Sequence, residues 1–224
     1  AVIDISGIYE LFPNWKNENS PIQTKVNKDE FFFFSKNSSI KIPSYFLPNT
    51  LSNSGNYIVS LSNVVKWLGK KAEKLEVDIF TGFTAKKIIY DDSNAVIGVK
   101  TGEFGIDVLG KKKPNYEPPI IIKAKFSLFA EGSRGHLGKK LIENYKLDKN
   151  SSPQSYSLGI KELWQIPKKL SDPGYVSHGF GWPLKNNVYG GSFLYHMDES
   201  VVSIGLIVGL NYKNPWMSPF EEFQ

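Results

Sequence analysis

Four long β segments in close succession, 154–166, 174–182, 188–196 and 200–211, constrain this chain most. Their spacing and alternation predict an antiparallel sheet over 151–224. The third carries an anomaly. Tyr189-Gly190-Gly191-Ser192-Phe193 sets two glycines where a strand prefers bulk. Glycines inside a strand weaken it, so they mark a bulge, a barrel corner or the close approach of something flat. If that something is a ring, the Gly190 and Gly191 amides can donate to its oxygen. Trp182, Phe180, Phe193 and Tyr195 can then line an apolar slot.

The preceding residues read differently. Residues 1–55 are broken by Pro13, Pro21, Pro43 and Pro48 and predict an irregular segment. Within it, Phe31-Phe32-Phe33-Phe34 predicts a short buried strand. Ile8-Tyr9-Glu10-Leu11-Phe12-Pro13-Asn14-Trp15 is a short amphipathic piece, suited to a membrane interface or to packing on its own core. Over 61–75, Leu61, Val64, Val65, Leu68, Ala72 and Leu75 follow helical spacing. Val77–Phe80, Lys87–Tyr90, Val96–Lys100, Ile120–Ile122 and Phe126–Ala130 predict strands, with a hairpin turn at Asp92-Ser93-Asn94. Residues 110–115, rich in lysine, predict an exposed loop. The segment 56–150 is then one domain portion with an inserted hairpin. The fold class is mixed α/β (α+β).

At 126–145 a strand runs through Glu131-Gly132-Ser133-Arg134-Gly135-His136 into a helix. A helix start offers free N–H groups to a pyrophosphate, and Gly132 and Gly135 allow close approach. Glu131 can accept from a ribose hydroxyl or hold the turn. Arg134, the single arginine, can pair with phosphate or a local carboxylate. An ordinary β-to-α turn has the same outline. A complete dinucleotide site is not written here, because no Gly-x-Gly-x-x-Gly follows a strand.

Composition closes several routes. There is no cysteine, so disulfides, thiolate metal sites and cysteine nucleophiles are excluded within these residues. His136, His178 and His196 lie in no ligand spacing, which gives a metal site no support. The net charge is +5, but the lysines are scattered, which argues against nucleic acid. No apolar run reaches the roughly 20 residues of a bilayer span. Ala1 is not an initiator Met, and Gln224 falls in a starting helix. Both ends therefore read as internal, with any targeting segment outside them.

Several motifs occur in a fixed order: Gly55-Asn56-Tyr57-Ile58-Val59, Phe129-Ala130-Glu131-Gly132, Gly135-His136-Leu137, Lys161-Glu162-Leu163-Trp164, Gly181-Trp182-Pro183-Leu184, Tyr189 through His196, and Val208-Gly209-Leu210-Asn211-Tyr212. Together, over essentially the whole chain, they resemble the middle of the electron-transfer flavoprotein–ubiquinone oxidoreductase family. The resemblance implies an aromatic-hydroxylase-like flavoprotein scaffold, in which part of a Rossmann-like FAD domain interleaves with an antiparallel-sheet ubiquinone-binding domain. It implies Gly190 and Gly191 as the quinone site. It assigns Val59, Glu131, Gly132, Arg134 and Gly135 to FAD, and makes Ile8, Leu11, Phe12 and Trp15 a membrane-interface piece.

The implied activity is electron transfer from reduced electron-transfer flavoprotein, through a [4Fe–4S] cluster and FAD, to ubiquinone. No catalytic acid–base residue is expected. The implied place is the matrix face of the mitochondrial inner membrane, with peripheral membrane association. The cluster has no ligands in this chain. Ser60 stands where the family commonly has Arg, and Glu76 where it has Gly. These residues alone are expected to bind FAD weakly or not at all. A related FAD-dependent hydroxylase, an isoprenoid-lipid reductase and a catalytically silent binding fragment remain as alternatives.

Overall fold

The computed structural model describes every residue except Asn186. The chain divides into two compact units, Ala1–Val77 with Gln154–Gln224, and Asp78–Pro153.

The first unit begins with β1 (Val2–Ile3), α1 (Ser6–Leu11), β2 (Thr24–Lys25), β3 (Lys28–Phe34), β4 (Ser39–Ile42), β5 (Tyr57–Ile58) and α2 (Leu61–Lys74). The second unit contains β6 (Ala85–Tyr90), β7 (Val96–Thr101), β8 (Phe104–Ile106), β9 (Lys112–Glu117), β10 (Ile121–Lys123) and α3 (His136–Tyr145). The chain then returns to the first unit with β11 (Ser157–Gln165), β12 (Tyr175–Gly181), β13 (Gly190–His196), β14 (Val201–Gly209) and α4 (Pro219–Phe223).

The four β segments of the last third form β11 to β14, and β11-β14-β13-β12 are antiparallel neighbours. The sheet has six strands, in the order β11-β14-β13-β12-β3-β4. β3 joins it parallel to β12, with His178 beside Phe31 and Phe180 beside Phe33. Residues 1–55 are therefore not simply irregular, and they do not stand apart from 151–224. Parallel pairing leaves no local turn signal in the sequence, since the partners need not be adjacent in the chain. The four phenylalanines do form a strand, but it is half-buried rather than buried, with Phe33 exposed.

α2 buries Val64 and Trp67, while Leu61, Val65 and Leu75 of the expected apolar face stay exposed. Its end closes by two backbone bonds, Val77 N–H to Ala72 C=O and Glu76 N–H to Glu73 C=O. That pattern needs a left-handed residue between them, and Glu76 takes it at φ +62°. The glycine that the resemblance implies at this position is the residue that this conformation favours. Around α2, the core of Trp15, Ile22, Tyr57, Val59, Val64 and Trp67 is completed by Ile8 and Phe12. Trp15 is 2% exposed and meets Tyr57 edge-on. It is a core residue, which removes it from the expected membrane-interface piece. Ile8 and Phe12 pack on that core, and Leu11 is exposed.

In the second unit, β6 and β7 form the expected hairpin, and β10 flanks β7. Two expected strands are absent. Val77–Phe80 and Phe126–Ala130 join no ladder, and Leu128 is 96% exposed. An apolar run becomes a strand only where a neighbour takes its backbone bonds. The lysine-rich loop is also corrected: Lys112–Glu117 is a strand, paired with β8.

Candidate functional site

An apolar cleft of about 770 Å³ lies in the first unit where β12 ends and β13 begins. Phe31 and Phe33 from β3, Phe180 and Gly181 from β12, and Val188, Tyr189 and Gly190 at the entry to β13 line it. Leu184 closes one side, and Leu47 and Leu51 arrive from the short turns Ser44–Phe46 and Asn49–Leu51. Lys185, Asn187 and Asn211 supply its polar groups. A few polar groups in an apolar hollow of this size suit a flat organic ligand.

The two glycines play different parts. Gly209 N–H donates to the Tyr189 carbonyl at 2.7 Å, and Gly191 lies opposite Ile207. Backbone groups alternate sides along a strand, so Gly191 turns its amide into the β14 ladder and Gly190 turns its amide the other way. On that side the β12 pairing has already stopped, at Gly179 opposite Ser192. The two amides therefore do not converge on one oxygen, which corrects the expected double donor. Gly190 alone presents an N–H toward the cleft side. Neither position has room for a side chain. A Cβ on Gly190 would lie 2.2 Å from the Ile207 carbonyl oxygen and 2.5 Å from Leu184 Cδ1. One on Gly191 would lie 2.6 Å from the Gly179 carbonyl oxygen.

Of the expected slot, Phe180 lines the cleft. Phe193 and Tyr195 lie further along β13, and Trp182 is exposed. Sequence reasoning missed Phe31, Phe33, Leu47 and Leu51, because they reach the cleft only through the β3–β12 pairing.

Two further features accompany the cleft. A polar hollow of about 410 Å³ shares Phe31, Leu47 and Leu51 with it and contains Asp29, Glu30 and Lys41. Asp29 there accepts from the Asn53 backbone N–H at 2.7 Å. Beside the hollow, Tyr45 and Phe46 are 77% and 70% exposed, and Ile40 is exposed as well.

The turn expected to meet FAD is built around a protein carboxylate. Glu131 accepts from Gly138 N–H at 2.6 Å and Leu137 N–H at 3.4 Å, the free amides at the start of α3. His136 Nδ1 lies 3.2 Å from the same carboxylate, and His136 Nε2 lies 2.8 Å from the Ala85 carbonyl. Gly135 is needed by this arrangement, since a Cβ there would lie 2.4 Å from Glu131 Cβ. Gly132, at φ +78°, faces open space, and Arg134 is exposed. A pyrophosphate on these helix amides does not fit: a negative side chain already holds them. Val59 is buried, and its N–H and C=O are both taken by Ala1, so its backbone is not available to a cofactor.

Residues 156–224 match the family model described as "ETF-QO, ubiquinone-binding". The whole chain is similar to a probable electron transfer flavoprotein-ubiquinone oxidoreductase of Acinetobacter baylyi, at 48% identity over 40% of that protein. It is similar to the Pseudomonas aeruginosa oxidoreductase at 45% identity over 41% of its length, and to the human mitochondrial one at 43% over 36%. The chain thus spans about two-fifths of these relatives. A solved triple mutant of the flavin-dependent brominase Bmp2 shares the fold, with a TM-score of 0.56 at 12% identity, covering 96% of this chain and 48% of the brominase. By sequence the chain belongs to the electron transfer flavoprotein–ubiquinone oxidoreductase family, as a partial segment of its members.

Proposed function

We propose that this segment forms the quinone-binding side of an oxidoreductase that passes electrons from reduced electron-transfer flavoprotein to ubiquinone. The carrying observation is the apolar cleft at the β12–β13 junction, a junction that lies within the stretch matching the ubiquinone-binding family model, while β3 and the turns after β4 complete the walls. Phe31, Phe33 and Phe180 supply flat apolar walls for a quinone ring, and the Gly190 N–H is the donor for one ring oxygen. A quinone ring seated between these walls would itself shield that hydrogen bond from water and so strengthen it.

In the full protein, FAD and a [4Fe–4S] cluster supply the one-electron chemistry. Cluster thiolates come from outside these residues, which have no cysteine. The FAD phosphates, in this reading, are held by groups other than the α3 amides. We also place the membrane-facing surface at the exposed Ile40, Tyr45 and Phe46 beside the cleft, with Leu11 as the remaining candidate near the chain start. No helix among the described residues is long and apolar enough to cross a membrane. Peripheral attachment by apolar side chains serves a lipid-dissolved substrate. Eukaryotic relatives are mitochondrial and others are bacterial, so the proposed place is the matrix face of the mitochondrial inner membrane or its bacterial equivalent.

The test is reduction of ubiquinone-1 by the full-length protein with reduced electron-transfer flavoprotein as donor, comparing wild type with Leu51→Trp. Leu51 is exposed at the cleft wall, so added bulk there fills the cleft without disturbing the core. A KM raised about tenfold with flavin content retained is expected. An unchanged KM removes the cleft from the reaction.

A further inference from the structure

Next to the cleft lies a half-buried polar pair that nothing so far uses. His178 Nε2 and the Tyr195 hydroxyl are 2.8 Å apart, on the same face of β12 and β13. Phe31, the β3 neighbour of His178, stacks on the imidazole with ring centroids 6.0 Å apart and itself lines the cleft. Phe31 also lines the polar hollow that holds Asp29. One aromatic ring thus touches the imidazole and lines both the polar hollow and the cleft.

Quinone chemistry needs such a group. Ubiquinone takes two electrons, supplied in the reading above by reduced electron-transfer flavoprotein, and two protons from water to become the quinol. Electrons entering an apolar cleft ahead of protons leave negative charge where the dielectric is low. A base close by, itself shielded from water, answers that charge by taking up a proton.

We infer that His178, held by Tyr195, is a positioning residue for quinone reduction: on its Asp29 side the neutral imidazole takes up a proton from bulk water as negative charge builds in the cleft, and it returns that proton to water once the quinol has formed with its own two protons from water. The inference rests on the proposed quinone function. The electrostatics suit the role. Burial pushes the His178 imidazole below its ordinary range, so it rests neutral at pH 7, while the charge of Asp29 opposes that shift. Burial first, and then Asp29, push the Tyr195 hydroxyl up to about 12, so it stays protonated and keeps the hydrogen bond. From β3, Asp29 is the charge acting on both groups; Tyr195 faces the imidazole from β13. Lys185 and Tyr189, on the cleft lining itself, are exposed.

The test uses full-length, flavin-loaded protein, with kcat and KM for ubiquinone-1 measured across pH for wild type, His178→Gln and Tyr195→Phe. Loss of about fivefold or more in kcat, an unchanged KM, and disappearance of a wild-type inflection lying below about pH 6.5 are expected for His178→Gln. Tyr195→Phe, which deletes only one hydroxyl, should shift that inflection without abolishing it. Wild-type kcat and pH profile in both variants would overturn the inference. So would an equal loss at every pH, the mark of a structural role. A wild-type protein inert toward ubiquinone-1 would instead refute the function on which the inference rests.

Discussion

Substituting Gly190 by alanine should separate what the sheet requires from what a ligand requires. The added methyl would sit 2.2 Å from the Ile207 carbonyl oxygen, more than an ångström short of ordinary contact, and 2.5 Å from Leu184 Cδ1. Leu184 can turn aside. The Ile207 carbonyl cannot, because it belongs to the β13–β14 ladder. Overpacking against fixed backbone costs about 1–3 kcal/mol, and at this separation the upper half of that range applies. For a chain of this size each kcal/mol lowers Tm by about 2–4 °C, so Gly190→Ala should melt about 4–12 °C lower.

The internal control is Gly159→Ala in β11 of the same sheet, where the nearest atom to a new Cβ is Ile207 Cγ1 at 4.0 Å. That variant should be neutral, or more stable by up to about 1 kcal/mol. Circular dichroism melts of the two variants give the comparison. If Gly190→Ala melts no lower than Gly159→Ala and wild type, the close approach at β13 is wrong.

Three other outcomes follow from the same geometry. Glu76→Gly should raise stability by about 1 kcal/mol, read as a Tm increase, because it relieves a left-handed residue and removes a negative charge from the C-terminal end of α2. Glu131→Ala should cost about 1–2 kcal/mol and speed hydrogen exchange of the Leu137 and Gly138 amides; unchanged exchange there would deny that the carboxylate caps α3. Stability should depend on pH at both ends. His178 has a folded pKa below its unfolded value near 6.5, so its contribution is complete above that pH and is lost as pH falls below it. Tyr195 is raised to about 12, so its contribution is lost as pH climbs from about 10. Melts of His178→Gln and Tyr195→Phe should each lose one of these limbs.

What the sequence reveals and what it hides divides along the range of the interactions. β12, β13 and β14 are legible because each meets its sequence neighbour across a turn, and β11, which pairs with β14, shows itself by alternation alone. The attachment of β3 to β12 is not legible, since it pairs residues such as Phe31 and His178 with no turn between them. With that pairing go Phe31, Phe33, Leu47 and Leu51 of the cleft. The apolar runs Val77–Phe80 and Phe126–Ala130 mislead for the converse reason: their composition is that of strands, and no strand is beside them here. Glu131 hides its role through spacing. It bonds amides six and seven residues ahead, whereas the familiar capping pattern reaches two or three.

The glycine pair then has one physical origin for its structural and its proposed functional part. β12 leaves the sheet at Gly181, whose φ of +98° turns the chain away and whose missing side chain clears the Phe34 carbonyl. β13 therefore enters the sheet with β14 on one side and no β12 ladder on the other. At that entry the backbone must lie flat against Ile207 and Leu184, which demands glycine, and strand alternation aims the Gly190 amide at the side β12 has vacated. The phenylalanines of β3 and β12 line that vacated space. A donor facing an apolar cleft is thus a consequence of where β12 stops. Moving that stop by two residues would pair Gly190 with β12 and close the cleft, with every residue of the pair unchanged.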